Sequence, residues 1–326
     1  MPEIIQSQIP WLGPPWSIPA ATAVIAISAA FLTLGADWTV ESSVQIAHRL
    51  RISPRLIGLT LVAIGTSAPE FAVSITAAVE EGSSIAISNV IGSNIFNLGF
   101  ILGGVALVSP LGTDGRVVWR DGAVLLLSAL AVWLLFGIDL GVDRSNGCLL
   151  LLGLAAYLGL LFSDARSQRA DEEREERSVG RTAIALKLVG GIVLVVVSAE
   201  LLVEAASSIA LTLGLSEWVI GVTIVAAGTS LPELTTSLVA VLRGQHGLSL
   251  GNIIGSDIFN VLGVLGVTAI LQPVPMGPEA SGSIMALVAM VLLTLIFMRT
   301  GWRLTRWEGA ALICVGLLRW VLDVSG

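Results

Sequence analysis

Ten stretches of roughly twenty predominantly apolar residues divide this chain, and a helix of about that length is what a hydrocarbon layer about 30 Å thick requires. They run over 18–47, 56–79, 83–108, 122–138, 147–162, 183–213, 218–242, 248–271, 281–298 and 308–324. Barrel strands alternate in polarity over about ten residues, which these runs do not, so the predicted fold is all-α, a bundle of membrane-spanning helices. Composition agrees, because 13% of the residues are charged where a soluble domain has roughly 25%. Eleven of those charges crowd between Asp164 and Arg181, which marks residues 164–181 as a solvated linker. The net charge of −7 offers no basic stripe to track phosphates, which excludes nucleic acid as a partner. Cys148 and Cys314 both sit in apolar segments and suggest no disulfide framework.

The chain repeats itself. IGLTLVAIGTSAPEFAVS from Ile57 returns as IGVTIVAAGTSLPELTTS from Ile220, and SNVIGSNIFN from Ser88 returns as GNIIGSDIFN from Gly251. The offset is a constant 163 residues, so that Glu70 recurs as Glu233, Asn97 as Asn260, and Asp37 and Glu41 as Glu200 and Glu204. Five predicted spans separate equivalent points, and an odd number reverses direction across the membrane. The expected architecture is therefore two inverted-topology repeats of five helices, residues 1–163 and 182–326, with a site near the midplane where they meet.

Arginine placement orients the bundle. Arg49, Arg51, Arg55, Arg116, Arg120, Arg243, Arg299, Arg303, Arg306 and the linker arginines fall on one side, and only Arg144 among the loop residues falls on the other. The positive-inside rule then puts both termini outside and the linker in the cytoplasm.

Each repeat carries Gly-Thr-Ser-x-Pro-Glu inside an otherwise uncharged span, Gly65 to Glu70 and Gly228 to Glu233. A lone ionisable residue at mid-bilayer costs roughly 2.5 to 3.5 kcal/mol or more, so two such glutamates need a compensating charge, and the simplest one is a mobile cation. Pro69 and Pro232 lack a backbone N–H and should interrupt their helices, exposing carbonyls at Ala63, Thr66, Ala226 and Thr229. Ser67 and Ser230 add hydroxyls. Ser93 and Asn97, like Ser256 and Asn260, lie four apart and share a helix face. The result is an all-oxygen cage suited to a hard cation such as Ca²⁺.

These blocks resemble the two α-repeats of the calcium/cation antiporter superfamily, nearest its prokaryotic sodium/calcium exchangers. The resemblance implies a secondary active antiporter that exchanges Na⁺ for Ca²⁺ by alternating access, in a prokaryotic inner (plasma) membrane, with the first and sixth helices sliding. It implies Ca²⁺ binding by Glu70, Glu233, Thr66 and Thr229. It implies Na⁺ binding by the same glutamates with Ser67, Ser230, Ser93, Ser256, Ala63, Ala226, Asn97 and Asn260. Potassium-dependent relatives carry Asp where Asn260 stands, so K⁺ independence is expected. Asp257 replaces Asn94 of the first copy, and the resemblance assigns that position no ligand, which favours a supporting role. A H⁺/Ca²⁺ antiporter of the same superfamily is the alternative, since proton coupling needs only the carboxylates.

No enzyme is expected. His48, His246 and Lys187, the one lysine, lie near span edges, so no nucleophile and base are paired inside the bilayer. The expected partners are Ca²⁺, Na⁺ and lipid, with no cofactor and no obligate protein partner.

Overall fold

The computed structural model describes residues 16–81, 85–139, 141–168, 181–215, 220–275 and 280–325. Trp11 and Trp218, which as tryptophans near span ends are expected to anchor at the membrane interface, and most of the charged linker lie outside the described residues. The helices are α1 (Ile18–Leu50), α2 (Pro54–Thr66), α3 (Ala68–Glu81), α4 (Ala86–Val108), α5 (Val117–Gly137) and α6 (Arg144–Gln168). After the linker come α7 (Arg181–Thr212), α8 (Thr223–Thr229), α9 (Leu231–Leu242), α10 (His246–Leu271), α11 (Ala280–Arg299) and α12 (Arg306–Ser325). Among the described residues seven helices are long and apolar enough to cross a membrane, and counting the bent pairs α2–α3 and α8–α9 as single spans gives nine. The tenth expected span coincides with α12, whose Arg306, Glu308, Arg319 and Asp323 make it less apolar than the others.

Side-chain distribution is that of a chain solvated by lipid. Leu127, Leu149, Phe162, Leu186 and Ile296 are exposed on the perimeter, while Ser67, Glu70, Asn94, Asn97, Glu233, Ser256, Asp257 and Asn260 are buried inside. The central helices are α4 and α10, with 72% and 83% of their apolar windows buried against 22% for α1. Both contain a wide π-type turn, Asn97–Leu102 and Phe259–Val264. Such turns rotate the side chains that follow and often mark functional sites; here they carry Asn97 and Asn260.

The two long helices α1 and α7 form a body partly apart from the main core. They share a second apolar cluster built on Leu32, Ala36, Val40, Val195 and Ala199, which also takes in Val239 and Ala240 of α9. Close contact is possible because Gly191 has no side chain, since a Cβ there would lie 2.8 Å from the Thr39 amide nitrogen. Ion pairs fasten this body. Asp37 of α1 receives Nε of Arg243 at 2.8 Å and Nη2 at 2.6 Å, and Glu41 pairs with Lys187 of α7 at 2.7 Å.

Two short antiparallel ladders tie the loops. Leu111–Gly112 (β1) pairs with Arg303–Leu304 (β4), and Gly141–Val142 (β2) with Val274–Pro275 (β3). The two ladders interchange under the 163-residue shift to within one residue. Near β1, Asp114 accepts from the Arg116 and Val117 amides and from Arg55 Nη1 at 2.6 Å, joining the start of α2 to the start of α5. Partial burial pushes its carboxyl upward, but these donors outweigh burial and hold it below the ordinary carboxylate range.

The crossing that positions the site is α2 on α10. A Cβ at Gly251 would lie 2.4 Å from the Arg55 carbonyl oxygen, and one at Gly58 would lie 2.5 Å from the Leu248 carbonyl oxygen. Gly251→Ala must therefore push backbone against backbone, with an expected cost of roughly 1–3 kcal/mol. Gly104→Ala, where nothing lies within 4 Å, should cost nothing. Melting curves of the two variants in detergent, followed by size-exclusion chromatography, test this, and equal melting temperatures would contradict it.

Candidate functional site

Both proline breaks form. At Ser67 the backbone leaves the helix (φ −78°, ψ 10°), as it does at Ser230 (φ −90°, ψ 7°). The segments then meet at 45° between α2 and α3 and at 55° between α8 and α9. The second helix of each pair restarts with its glutamate in the first turn, where helix N-termini favour negative charge. One expectation changes. The Ala63 carbonyl is not freed by the break, because the Ser67 amide still reaches it at 3.0 Å and the Thr66 hydroxyl lies 3.4 Å away. The N–H that a proline lacks is the one that would reach the carbonyl four residues earlier, Gly65 for Pro69 and Gly228 for Pro232.

The breaks turn the two motifs toward each other. Ser67 Oγ donates to Glu233 Oε1 at 3.0 Å, and Ser230 Oγ donates to Glu70 Oε1 at 3.0 Å. Each repeat's serine thus serves the other repeat's glutamate. Ser256 Oγ adds a second donor to Glu233 Oε1 at 3.3 Å. The Thr66 hydroxyl lies 3.2 Å from Asn252 Oδ1 and 3.4 Å from Ser256 Oγ. Ser93 is buried on α4, and Ala226 and Thr229 bound the short helical turn before the second break.

Asn97 and Asn260 face each other's helix. Asn97 Nδ2 donates to Asp257 Oδ1 at 3.0 Å, Asn260 Nδ2 to Asn94 Oδ1 at 3.2 Å, and Asn94 Nδ2 to the Asp257 carbonyl at 2.9 Å. Asn94, Asn89 and Asn252 are the polar residues that the motif reading passed over. Asn89 Nδ2 bonds Ser74 Oγ at 3.0 Å and the Glu70 carbonyl at 3.2 Å, and Asn252 Nδ2 bonds Ser237 Oγ at 3.0 Å and the Glu233 carbonyl at 3.4 Å. The signal for them was present, since 89 and 252, like 74 and 237, stand 163 apart inside the duplicated blocks.

What remains unsatisfied defines the chemistry. Glu70 Oε2, Glu233 Oε2, Asp257 Oδ2, Asn97 Oδ1 and Asn260 Oδ1 are buried with no hydrogen-bond donor among the described residues. All five side chains are fully shielded. The ion pairs found lie elsewhere, and Arg319, inside α12, bonds Ser283 at 2.8 Å. Buried acceptors without donors are costly and accommodate a hard cation. No three Asp, Glu, His or Cys side chains among the described residues converge as a transition-metal site would require; the oxygens are divided among carboxylates, amides and hydroxyls.

Fold and site together define a multi-pass integral membrane protein of the cation-transporting class, with a duplicated, buried oxygen site. The profile described as "Sodium/calcium exchanger protein" matches residues 20–163 and 184–317, and the chain belongs to that family, which is one of exchangers and not of enzymes. It is 38% identical over 304 residues to CaxA of Alkalimonas amylolytica, covering 90% of this chain and 95% of that one. It is 34% identical to the sodium/calcium exchanger MaX1 of Methanosarcina acetivorans, covering 89% and 94%. Among solved structures, the sodium-calcium exchanger NCX_Mj soaked without Na⁺ and Ca²⁺ superposes with a TM-score of 0.81 at 34% identity, covering 93% of this chain and 98% of that one.

A cation held by the unsatisfied oxygens should stabilise the fold by about 2.7 kcal/mol at a hundredfold excess over its dissociation constant. Addition of Ca²⁺ in detergent is expected to raise the melting temperature of the wild-type protein, and Glu70→Gln or Glu233→Gln to remove that increase. An undiminished increase in both variants would place the ion elsewhere.

Proposed function

We propose that this protein is a secondary active antiporter that exchanges Na⁺ for Ca²⁺ by alternating access. The observation that carries the reading is the pair of buried glutamates that meet across the two motifs, each braced by the opposite serine, with their second oxygens open and no ion pair to a basic side chain among the described residues. Two carboxylates match one Ca²⁺ in charge. The hydroxyls of Ser67, Ser230 and Ser256 already at the glutamates, with Ser93 nearby in sequence to Asn97, supply the neutral oxygens that Na⁺ needs when it takes over the same ligands. Ca²⁺ falls to Glu70, Glu233 and the carbonyls of Thr66 and Thr229. Na⁺ shares the glutamates with the serines, the carbonyls of Ala63 and Ala226, and Asn97 and Asn260. Membership of the sodium/calcium exchanger family and the likeness to MaX1, a protein named as a sodium/calcium exchanger, support the choice of ions.

We further propose ten spans in two inverted repeats, residues 1–163 and 182–326, joined by a cytoplasmic linker at 164–181, with both termini outside the inner membrane. The 163-residue register and the distribution of arginines support it. Three Na⁺ against one Ca²⁺ would move one net charge per cycle, worth about 2.3 kcal/mol per 100 mV. Asn260, where potassium-dependent relatives have Asp, supports K⁺ independence.

Uptake of ⁴⁵Ca²⁺ into Na⁺-loaded proteoliposomes tests the reading. Expected are uptake that needs the Na⁺ gradient, is insensitive to K⁺, accelerates when the membrane potential favours net charge movement, and is lost in Glu70→Gln and Glu233→Gln. Uptake that ignores Na⁺ and follows a pH gradient would instead establish H⁺/Ca²⁺ exchange, and silence toward the potential would refute charge movement.

A further inference from the structure

We propose that Asn94 and Asp257 are positioning residues, which lock the amides of Asn97 and Asn260 so that both turn their oxygens toward the ion. This rests on the reading that Asn97 and Asn260 line the ion site. A side-chain amide has an accepting end and a donating end of nearly equal shape, and only its hydrogen-bond partners decide which end points where. A cation needs the oxygen; a flipped amide would aim two N–H donors at it. Each helix therefore needs something on its neighbour that accepts the NH₂ group and leaves the oxygen free.

Positions 94 and 257 meet that need reciprocally. Asp257 Oδ1 accepts from Asn97 Nδ2 at 3.0 Å. With Asp257 Oδ1 as the acceptor, Asn97 presents its NH₂ there and its Oδ1 on the opposite side. On the other strand of the brace, Asn94 Oδ1 accepts from Asn260 Nδ2 at 3.2 Å. Asn94 is itself an amide and could flip, but its Nδ2 is held at 2.9 Å by the main-chain carbonyl of Asp257, a group that can only accept. The order of donors thus runs one way, from Asn260 through Asn94 to the Asp257 backbone. Both amide oxygens left over, Asn97 Oδ1 and Asn260 Oδ1, are the ones that are buried without a donor.

The same arrangement tolerates the substitution that breaks the repeat. Position 257 is Asp where 94 is Asn, yet the function required of it is an acceptor for Asn97, which either side chain supplies. Asparagine at 257 would keep that acceptor and put an NH₂ in place of Asp257 Oδ2, which has no donor among the described residues. The role proposed for residue 257 is thus that of an acceptor for Asn97 and not that of a charged ion ligand, in contrast to Glu70 and Glu233.

The experiment measures Na⁺-driven ⁴⁵Ca²⁺ uptake and its apparent KM in proteoliposomes of the full chain, with each variant first checked for monodispersity. Loss of a residue that orients a metal ligand typically costs 10- to 100-fold in affinity. Asp257→Leu and Asn94→Leu are expected to raise the KM for Ca²⁺ by about tenfold or more, while Asp257→Asn stays within about threefold of wild type. Asp257→Leu combined with Asn97→Ala should be no worse than Asn97→Ala alone, because the two act on one interaction. If Asp257→Leu does not fold, Asn97→Asp decides: it should lose uptake by about tenfold, and adding Asp257→Asn, which restores an NH₂ donor between the two positions, should recover most of it. Loss of uptake in Asp257→Asn comparable to Glu70→Gln would make residue 257 a charged ion ligand and overturn the proposal. A wild-type KM in Asp257→Leu, or no recovery in the double exchange, would overturn it as well. Absence of Na⁺-driven uptake in the wild-type protein would instead refute the functional reading beneath it.

Discussion

Two carboxylates held away from water, with no arginine or lysine paired to them among the described residues, set the conditions that the rest of the molecule satisfies. Inside a bilayer the cost of such charges is several kcal/mol each, and a protein that keeps them must supply partial compensation permanently and the remainder on demand. The permanent part is visible: Ser67 serves Glu233, Ser230 serves Glu70, and Ser256 adds a further donor. These are neutral hydroxyls, strong enough to orient a carboxylate oxygen and too weak to neutralise it. The second oxygen of each glutamate is left open, and a cation is the partner that can enter, bind and leave. A lysine in this place would have made the site stable and inert.

The remaining architecture makes that partial compensation possible. A continuous helix would carry each glutamate past the other; the break at Ser67 and Ser230, caused by a proline two residues later, lets the short helix starts approach from opposite segments. Their approach depends in turn on backbones that come unusually close. Gly58, Gly251 and Gly255 leave no room for a Cβ between α2 and α10, and it is this crossing that brings Thr66 to Asn252 and Ser256. Asn89 and Asn252 then fasten each glutamate's own carbonyl to the neighbouring helix. The outer pair α1 and α7 is held together by its own small apolar cluster and by the Glu41–Lys187 ion pair, and it meets the site-bearing core through Val239 and Ala240 of that cluster and through the ion pair of Asp37 with Arg243.

Much of this was legible before any coordinates. The breaks followed from Pro69 and Pro232, the oxygen chemistry from the absence of His, Cys and Lys near two glutamates, and the pairing of halves from one constant offset. Asn89, Asn94 and Asn252 were not singled out, although they recur in or beside the same blocks, because an asparagine on a helix face reads as packing until its partner on another helix is known. The Ala63 carbonyl was expected to be free and is not, since Ser67, two residues before the proline, still has its backbone N–H and donates it there. Arg319 sits inside the last helix but is turned to Ser283, a direction that no periodicity in α12 reveals.

The sequence by itself determined the medium, the helical class, the duplicated motif and the hard-cation character of its oxygens, because each of these depends on residue type and spacing along one segment. The tertiary structure decided which hydroxyl serves which carboxylate, which way the amides of Asn97 and Asn260 point, and that Asp257 faces Asn97 across two helices. Those outcomes depend on the distance and rotation between elements far apart in the chain, fixed by glycine contacts and interhelical hydrogen bonds, and a periodicity measured along one helix carries no information about the face that its neighbour presents.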